Sequence, residues 1–279
     1  MRIAFLLKIP IFGVITKTDM ANKNILTETI VFAKNLFKQA NCIPMVVKTQ
    51  EDLITTIKNF GKTKIVPIFL ISNVTGEGID DLRLFLNIVK NPISYKPEEA
   101  FHLNIDHTFQ VDGVGTVISG IVISGKYKLG DKLMLGPNSI GEWTNISARS
   151  IHFNRTLVSE CQAGQSICFA IPKIKRKDIK KGMVVVDPSI AKSVYRFKAE
   201  VTIIHHHTTI TDKFQAVIHC KNVSQSCKIV EMDNPVIRSG DNANIIFEFM
   251  YKPEFVIVGS SLIFREGKTR GIGKIVEVY

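Results

Sequence analysis

The pattern of apolar residues changes once along this 279-residue chain, and that change limits the folds open to it. Before residue 91, apolar runs as long as buried strands alternate with segments that carry apolar residues at helical spacing. Beyond residue 99 the helical spacing disappears, and short runs rich in Val, Ile and Phe are separated by Gly, Asp and Asn turns. We therefore predict an α/β segment followed by all-β structure.

The first segment is expected to form a parallel sheet with helices between its strands. Each apolar run is continuous and ends in a polar turn, as in a strand that is buried on both faces. Strands that alternate with helices are joined as parallel neighbours by helical crossovers. The expected strands cover 9–15 and 64–71, the expected helices cover 22–40, 51–60 and 79–89, and 72–78 forms a polar loop.

The remainder is expected to form two antiparallel β-barrels. Short apolar strands with regular turns fill residues 101–186 and 194–278, and this pattern is typical of closed barrels. Pro92 and Pro97 mark a short stiff linker before the first barrel. The seam between the two barrels is expected at 188–193.

The charge of the chain favours a polyanionic partner. Its 36 Lys and Arg residues against 25 Asp and Glu residues give a formal net charge of +11. A cationic surface gains free energy when it displaces counterions from phosphates, so nucleic acid is the favoured partner. The alternative is a basic protein without such a partner.

Cysteine usage and the N-terminus indicate a cytoplasmic location. The five cysteines are odd in number and never spaced as C-x-x-C, so neither a disulfide framework nor a zinc ribbon is expected. The apolar N-terminal run is interrupted by Lys8 and Pro10, unlike a signal peptide. No apolar stretch is long enough to cross a bilayer, so no membrane partner is expected.

The first strand runs into Thr16-Lys17-Thr18-Asp19, which matches the [N/T]-K-x-D motif that reads guanine. Guanine presents two adjacent donors, N1–H and the exocyclic amine, and the two oxygens of the Asp19 carboxylate would accept both. The aliphatic stem of Lys17 would lie along the base, and Thr16 would tie the loop to its neighbours. The alternative is a solvated turn, since four common residues recur by chance.

A second base-reading loop follows the second strand of the segment. Ser72-Asn73-Val74 stands where Ras-like GTPases carry Ser-Ala-x, a loop in which a backbone amide donates to guanine O6. Ser72 matches this pattern, and Asn73 replaces the usual alanine. Because ligands bind beyond the carboxyl ends of parallel strands, both loops are expected to face one crevice.

The barrel region resembles the second and third domains of elongation-factor-Tu-like translational GTPases. The resemblance rests on Gly113-Val114-Gly115-Thr116-Val117-Ile118-Ser119-Gly120, on Lys128-Leu129-Gly130-Asp131, and on Arg265-Glu266-Gly267-Lys268-Thr269-Arg270-Gly271. Within that family the chain is most similar to the GTP-binding-protein-1 and -2 group. The chain resembles the C-terminal two-thirds of such a protein.

This resemblance implies a mixed fold. Residues 1–93 would be the C-terminal half of an α/β, P-loop-type GTP-binding (G) domain, and 94–99 a linker. Residues 100–188 and 189–279 would be the second-domain and third-domain barrels. It also implies an elongation-factor-like protein of translation that binds GTP or GDP with magnesium and contacts aminoacyl-tRNA or the ribosome.

The sequence contains no G-x-x-x-x-G-K-[S/T] loop to hold the phosphates and magnesium. Gly61-Lys62-Thr63 and Gly267-Lys268-Thr269 each lack the required earlier glycine. We therefore assign no catalytic residue, and we expect this chain alone to bind GTP weakly or not at all and not to hydrolyse it. A separate N-terminal half would be a further partner. The rival hypothesis is a non-enzymatic RNA-binding or assembly module derived from such a GTPase.

A run of cations near the end of the first barrel is the candidate RNA contact. It consists of Lys173, Lys175, Arg176, Lys177, Lys180 and Lys181, interrupted by the single acid Asp178. A solvated barrel loop is the alternative. The only histidine cluster, His205-His206-His207, cannot converge on one ion in a strand because alternate side chains face opposite sides, so no metal site is expected.

Overall fold

The computed structural model describes residues 9–89, 95–212 and 214–279. It divides into two units, Met1–Ser94 and Tyr95–Tyr279. Every α-helix among the described residues belongs to the first unit. Two features singled out from the sequence, the interruption at Lys8 and the start of the linker at residues 92–94, lie outside the described residues.

The first unit contains a three-stranded parallel sheet with its strands in the order β1-β3-β2. β3 occupies the centre, and four consecutive residues in it are buried, as expected for a strand that is covered on both faces. The strands are β1 (Gly13–Ile15), β2 (Ile43–Val46) and β3 (Ile65–Leu70), and the helices are α1 (Lys23–Gln39), α2 (Gln50–Asn59) and α3 (Ile79–Ile88).

The sheet differs from the sequence prediction at both edges. The prediction contained two strands and omitted β2, whose four residues include Pro44 and are all half-buried or exposed. An edge strand of this kind has a weak apolar pattern, and a proline within a short run makes a strand harder to predict from the sequence. The predicted strand over 9–15 is shortened to β1 because only Gly13–Ile15 pairs with β3. Pro10 lacks the amide hydrogen that a ladder needs.

Two helices of this unit begin at specific sequence signals. α2 begins with a capping box: the Asp52 amide donates to Thr49 Oγ1 at 3.2 Å, and the Thr49 amide donates to Asp52 Oδ2 at 3.1 Å. α3 is preceded by its N-cap residue Gly78, which has a φ of 70°. A Cβ added to Gly78 would lie 2.0 Å from the carbonyl oxygen of Leu70, so only glycine fits there.

Aromatic side chains form the core on one face of this sheet. Phe85 of α3 is fully buried, and its ring centroid lies 5.0 Å from that of Phe69 and 5.1 Å from that of Phe60. The ring centroid of Phe12 lies 5.5 Å from that of Phe85. Burial of such rings supplies much of the apolar stabilisation of a small α/β unit.

The first β block of the second unit is an antiparallel sheet of eight strands with a separate two-stranded ribbon. The eight strands follow the order β10-β9-β12-β5-β4-β13-β7-β8, and β6 pairs with β11. The bounds are β4 (His102–Val111), β5 (Gly115–Ser124), β6 (Lys126–Lys128), β7 (Leu133–Gly136), β8 (Thr144–Ile146), β9 (Ser150–Phe153), β10 (Thr156–Val158), β11 (Glu160–Gln162), β12 (Ser166–Ile171) and β13 (Val184–Val186).

Among the described residues, the ladders of this block form an eight-stranded sheet and a separate two-stranded ribbon. The chain turns at Gly125, between β5 and β6, where φ is 78°. A Cβ there would lie 2.5 Å from the backbone of Phe101. The chain turns sharply at this close approach, so β6 leaves the main sheet and pairs with β11.

The second β block is a closed barrel of six strands, and the predicted closure is confirmed here. Its strands follow the order β14-β17-β16-β15-β18-β19, and every neighbouring pair is antiparallel. Inward-facing residues alternate with outward-facing ones along β17. The bounds are β14 (Arg196–His205), β15 (Gln215–Cys220), β16 (Val223–Met232), β17 (Asn242–Phe249), β18 (Ser261–Glu266) and β19 (Thr269–Val278).

None of the helices within the described ranges combines the length and apolar character that a membrane crossing requires.

The aromatic core of the first unit gives a stability prediction. Phe85→Ala removes a fully buried ring and should lower the free energy of unfolding of this unit by about 3–5 kcal/mol. Denaturant unfolding, followed by the far-ultraviolet circular dichroism of the helices, measures this loss. The fluorescence of Trp143, the only tryptophan in the sequence, reports on the second unit and should keep its midpoint.

Leu86→Ala is the matched control on the same helix. Leu86 is 51% exposed, so its truncation should change the free energy of unfolding by no more than about 0.5 kcal/mol. Equal midpoints for the two variants would show that the aromatic cluster does not hold this unit together.

Candidate functional site

The two candidate loops leave neighbouring parallel strands at the same edge of the sheet. β1 ends at Ile15 and β3 ends at Leu70, and the two strands pair in parallel. The Ile71 amide continues this ladder by donating to the Ile15 carbonyl at 2.9 Å, and the Thr18 amide donates to the Ile71 carbonyl at 3.3 Å. Backbone pairing therefore brings the loops together where α/β sheets bind ligands.

The Ser72 hydroxyl joins the two loops. Ser72 is fully buried, and its Oγ donates to Asp19 Oδ1 at 2.6 Å. The same oxygen accepts from the amides of Val74 and Thr75 at 3.2 and 3.1 Å. A hydroxyl carries one hydrogen, and the two amides can only donate to it, so its proton is directed to Asp19. The contact fixes the carboxylate relative to the second loop.

The remaining predicted residues surround this contact with different exposures. Thr16, Lys17, Asp19, Asn73 and Val74 are exposed, whereas Ser72 is buried. Ser72 is therefore placed to support its neighbours. Lys17 has a φ of 61°, a left-handed backbone conformation that is uncommon for lysine, and the Met20 amide donates to its carbonyl at 3.2 Å.

The second loop leaves one amide available. Among the described residues no acceptor pairs with the amide of Asn73, whereas the next two amides donate to Ser72 Oγ. The loop closes through the Gly76 amide, which donates to the Ser72 carbonyl at 3.0 Å, and through the Ser72 amide, which donates to the Glu77 carbonyl at 3.0 Å. A free amide beside a fixed carboxylate offers one donor and one acceptor group to a planar base.

Sequence reasoning missed two residues that shape this site. Thr75 supplies the second amide to Ser72, and Gly78 turns the chain from the loop into α3. Gly78 was detectable as a glycine directly before a helical pattern. The role of the Thr75 amide has no sequence signal, because any residue except proline carries that donor.

Among the described residues, these loops supply neither a phosphate site nor a magnesium site. The phosphate-loop sequence is not present among the 279 residues. Within the ranges that the structure describes, no three His, Cys, Asp or Glu side chains are grouped to hold a metal ion.

The cationic run forms an exposed loop with fixed ends. All six cations, Lys173, Lys175, Arg176, Lys177, Lys180 and Lys181, are exposed. Arg176–Asp178 forms a single turn of 3-10 helix, and the buried Thr116 donates from its Oγ1 to the Ile174 carbonyl at 2.5 Å. At the other end Lys252 Nζ donates to the Lys181 carbonyl at 2.9 Å. The loop backbone is held while its charges face solvent.

The histidine cluster begins at the last residue of β14, His205, and His206 and His207 follow the strand. The rings of His205 and His207 lie 4.8 Å apart by centroid, whereas His206 Nδ1 lies 2.6 Å from Thr269 Oγ1. The side chains thus divide between two environments.

Two family models match the β blocks. Elongation factor Tu domain 2 matches residues 115–186, and the elongation factor Tu C-terminal domain matches residues 190–279. The chain belongs to the elongation-factor-Tu-like family of translational GTPases. The family resemblance predicted from the sequence is therefore confirmed.

Relatives that match the whole chain are named GTP-binding protein 1 and GTP-binding protein 2, the group that the sequence resembles. GTP-binding protein 1 of Xenopus laevis is 42% identical over 279 residues, which are 99% of this chain and 43% of that protein. GTP-binding protein 2 of Mus musculus is 33% identical over 286 residues, covering 99% of this chain and 48% of that protein. The chain thus spans less than half the length of these relatives.

A solved structure shares the fold. The crystal structure of translation elongation factor SelB from Methanococcus maripaludis, in its apo form, superposes with a TM-score of 0.76. The match covers 100% of this chain and 61% of that one, at 22% identity. At this identity the likeness supports the fold alone.

The Ser72 contact predicts a stability cost that is independent of any ligand. Ser72→Ala leaves the Val74 and Thr75 amides without their acceptor, so the free energy of unfolding of the first unit should fall by about 1–3 kcal/mol. Denaturant unfolding followed by far-ultraviolet circular dichroism measures the loss.

Thr75→Ala is the control, because it removes an exposed hydroxyl that accepts only one long hydrogen bond, from the Glu77 amide at 3.4 Å. It should change the free energy of unfolding by no more than about 0.5 kcal/mol. If Ser72→Ala has an equally small effect, the hydroxyl does not join the loops.

Proposed function

We propose that the two loops bind the guanine base of GTP and GDP in an elongation-factor-like protein of translation. The Asp19 carboxylate accepts from N1–H and the exocyclic amine, and the Asn73 amide donates to O6. The Lys17 stem covers the base. The observation that carries the proposal is the 2.6 Å hydrogen bond from Ser72 Oγ to Asp19 Oδ1, which links both motifs.

Base recognition by these residues contributes more to the selectivity between bases than to the affinity for nucleotide. A bidentate base contact contributes about 1–3 kcal/mol to the choice between bases. Phosphate and magnesium contacts belong in this family to a phosphate loop and switch segments that these 279 residues do not contain. We therefore propose that this chain alone binds nucleotide weakly, without hydrolysis, and that GTP or GDP with magnesium binds in a protein that contains those segments.

The β blocks are proposed to contact tRNA or ribosomal RNA through the cationic run. Three features support this: six exposed cations beside one acid, a backbone fixed at both ends, and a net charge of +11. A cytoplasmic location belongs to the same proposal and is supported by five free cysteines. An RNA-binding module without nucleotide is the second candidate, and the exposed run is the observation that favours it.

Asp19→Asn tests the guanine assignment. Asparagine can donate to the O2 carbonyl that xanthine carries in place of the guanine amine, so the variant should prefer xanthosine diphosphate to GDP. The ratio of the two affinities should change by about tenfold or more. Chemical-shift titration with each nucleotide at millimolar concentration measures that ratio.

Asp80→Asn is the matched control, because Asp80 has a 96% exposed side chain in the first turn of α3. It removes the same charge from the same unit and should leave the preference for GDP unchanged. Unaltered selectivity in Asp19→Asn would show that this carboxylate does not read the base.

A triple substitution of the cationic run, Lys175→Gln with Lys177→Gln and Lys180→Gln, tests RNA contact. If all three contact phosphates, the slope of log K against log salt concentration should become less steep by about 2–3. Anisotropy titrations with labelled RNA over a salt series measure the slope. The same change at Lys34, Lys38 and Lys58 of the first unit is the control, and equal slopes for both triples would contradict the proposal.

A further inference from the structure

Asn73 exposes a carboxamide directly after Ser72, the residue that binds the Asp19 carboxylate. This side chain forms no hydrogen bond with any residue that the structure describes. An asparagine in a turn commonly bonds to the backbone two residues on, as Asn22 does when it accepts from the Asn24 amide at 3.4 Å. Asn73 makes no such bond, so both hydrogens of its carboxamide are available to a ligand.

The backbone on both sides of Asn73 is held by hydrogen bonds. Ser72 before it is fully buried, and the Val74 amide after it donates to Ser72 Oγ at 3.2 Å. The Gly76 amide closes the loop by donating to the Ser72 carbonyl at 3.0 Å. Only the side chain of Asn73 is therefore ordered when a ligand binds, which keeps the entropic cost of a contact small.

The edge of guanine presents four polar groups in a fixed order: the exocyclic amine, N1–H, O6 and N7. The first two groups donate hydrogen bonds, and the last two accept them. In the proposed site the Asp19 carboxylate takes both donors, and the Asn73 backbone amide takes O6. N7 is the next acceptor after O6, on the side away from Asp19. The residue that reaches O6 is therefore the residue closest to N7.

Thr16 is the other residue of the two loops that exposes a neutral donor. Its backbone lies between two ladder contacts: the Ile71 amide donates to the Ile15 carbonyl at 2.9 Å, and the Thr18 amide donates to the Ile71 carbonyl at 3.3 Å. A threonine hydroxyl is one carbon away from the backbone, so its position follows that of the strand. The carboxamide nitrogen of Asn73 is two carbons away from its backbone and can turn towards a base.

We propose that the Asn73 carboxamide donates a hydrogen bond to N7 of the guanine base. The backbone amide of the same residue donates to O6, so a single residue reads the two neighbouring acceptors of guanine. An alanine at this position could make only the backbone contact. The inference rests on the proposed guanine site, and it makes Asn73 a specificity-determining residue that selects bases with an acceptor at N7.

7-Deazaguanosine 5′-diphosphate tests the contact, because it carries C–H in place of N7 and keeps the amine, N1–H and O6. The chain should bind GDP about fivefold more tightly than this analogue, as expected for one neutral hydrogen bond. Chemical-shift titration at millimolar concentration measures both dissociation constants. The side-chain amide resonances of Asn73 should move with GDP and not with the analogue. Equal dissociation constants for the unmodified chain would overturn the inference, whatever the variants show.

Asn73→Ala should bind GDP about fivefold more weakly than the unmodified chain does and should bind the analogue with unchanged affinity. The ratio of the two dissociation constants then falls to about one, because the backbone contact to O6 serves both ligands equally. Asn73→Ser, which keeps a polar side chain but shortens it, should give the same ratio. If both variants keep the preference for GDP, another group binds N7 and the inference is wrong.

Thr16→Ala is the matched control, because it removes an exposed polar group from the other loop of the same site. This variant should keep the preference of the unmodified chain for GDP over the analogue. If Thr16→Ala abolishes that preference while Asn73→Ala retains it, the threonine hydroxyl binds N7 and the assignment of Asn73 is wrong.

The Asp19→Asn experiment separates this inference from the proposed function, because xanthine and guanine share N7. If Asp19→Asn changes the selectivity as expected while GDP and the 7-deaza analogue bind equally well to the unmodified chain, the guanine site stands and the N7 contact is wrong. If GDP moves no resonance of either loop, the guanine site itself is wrong and the N7 contact is overturned with it.

Discussion

The hydrogen bond from the buried Ser72 hydroxyl to Asp19 holds the two loops of the candidate nucleotide site together. Ser72 Oγ accepts hydrogen bonds from two amides of its own loop and donates its only hydrogen to Asp19, 53 positions away in the sequence. Because both amides can only donate, the hydroxyl hydrogen points to the Asp19 carboxylate. The parallel pairing of β1 with β3 makes the contact possible because it places both loops at one edge. Lys17, Asn73 and the carboxylate are arranged around that point.

Much of the fold was predictable because apolar periodicity reports burial directly. β3 and the three helices lie within a residue or two of their predicted bounds, since each carries a continuous or striped apolar pattern. β2 was not predictable because its burial depends on β3 and α1, not on its own residues. The motifs located both candidate loops, but the buried state of Ser72 arises only from packing.

The proposed RNA-facing loop depends on the six-stranded barrel for its conformation. Asn222 Nδ2 donates to the carbonyls of Gly182 and Met183 at 3.3 and 3.1 Å, where the loop returns to β13. Glu254 is buried against the same glycine, and burial raises the pKa of its carboxyl. Residues of the second β block thereby set the shape of a loop that belongs to the first.

Gly78 contacts no proposed ligand, but its lack of a side chain also determines the shape of the candidate site. Its missing side chain lets the carbonyl of Leu70 approach within a distance that a methyl group would occupy. A larger residue would push α3 away from the end of β3 and would enlarge the opening between the two loops. Tolerance to mutation should therefore be low at this position, and a variant there should lose the proposed discrimination between bases while every proposed base-contacting residue stays intact.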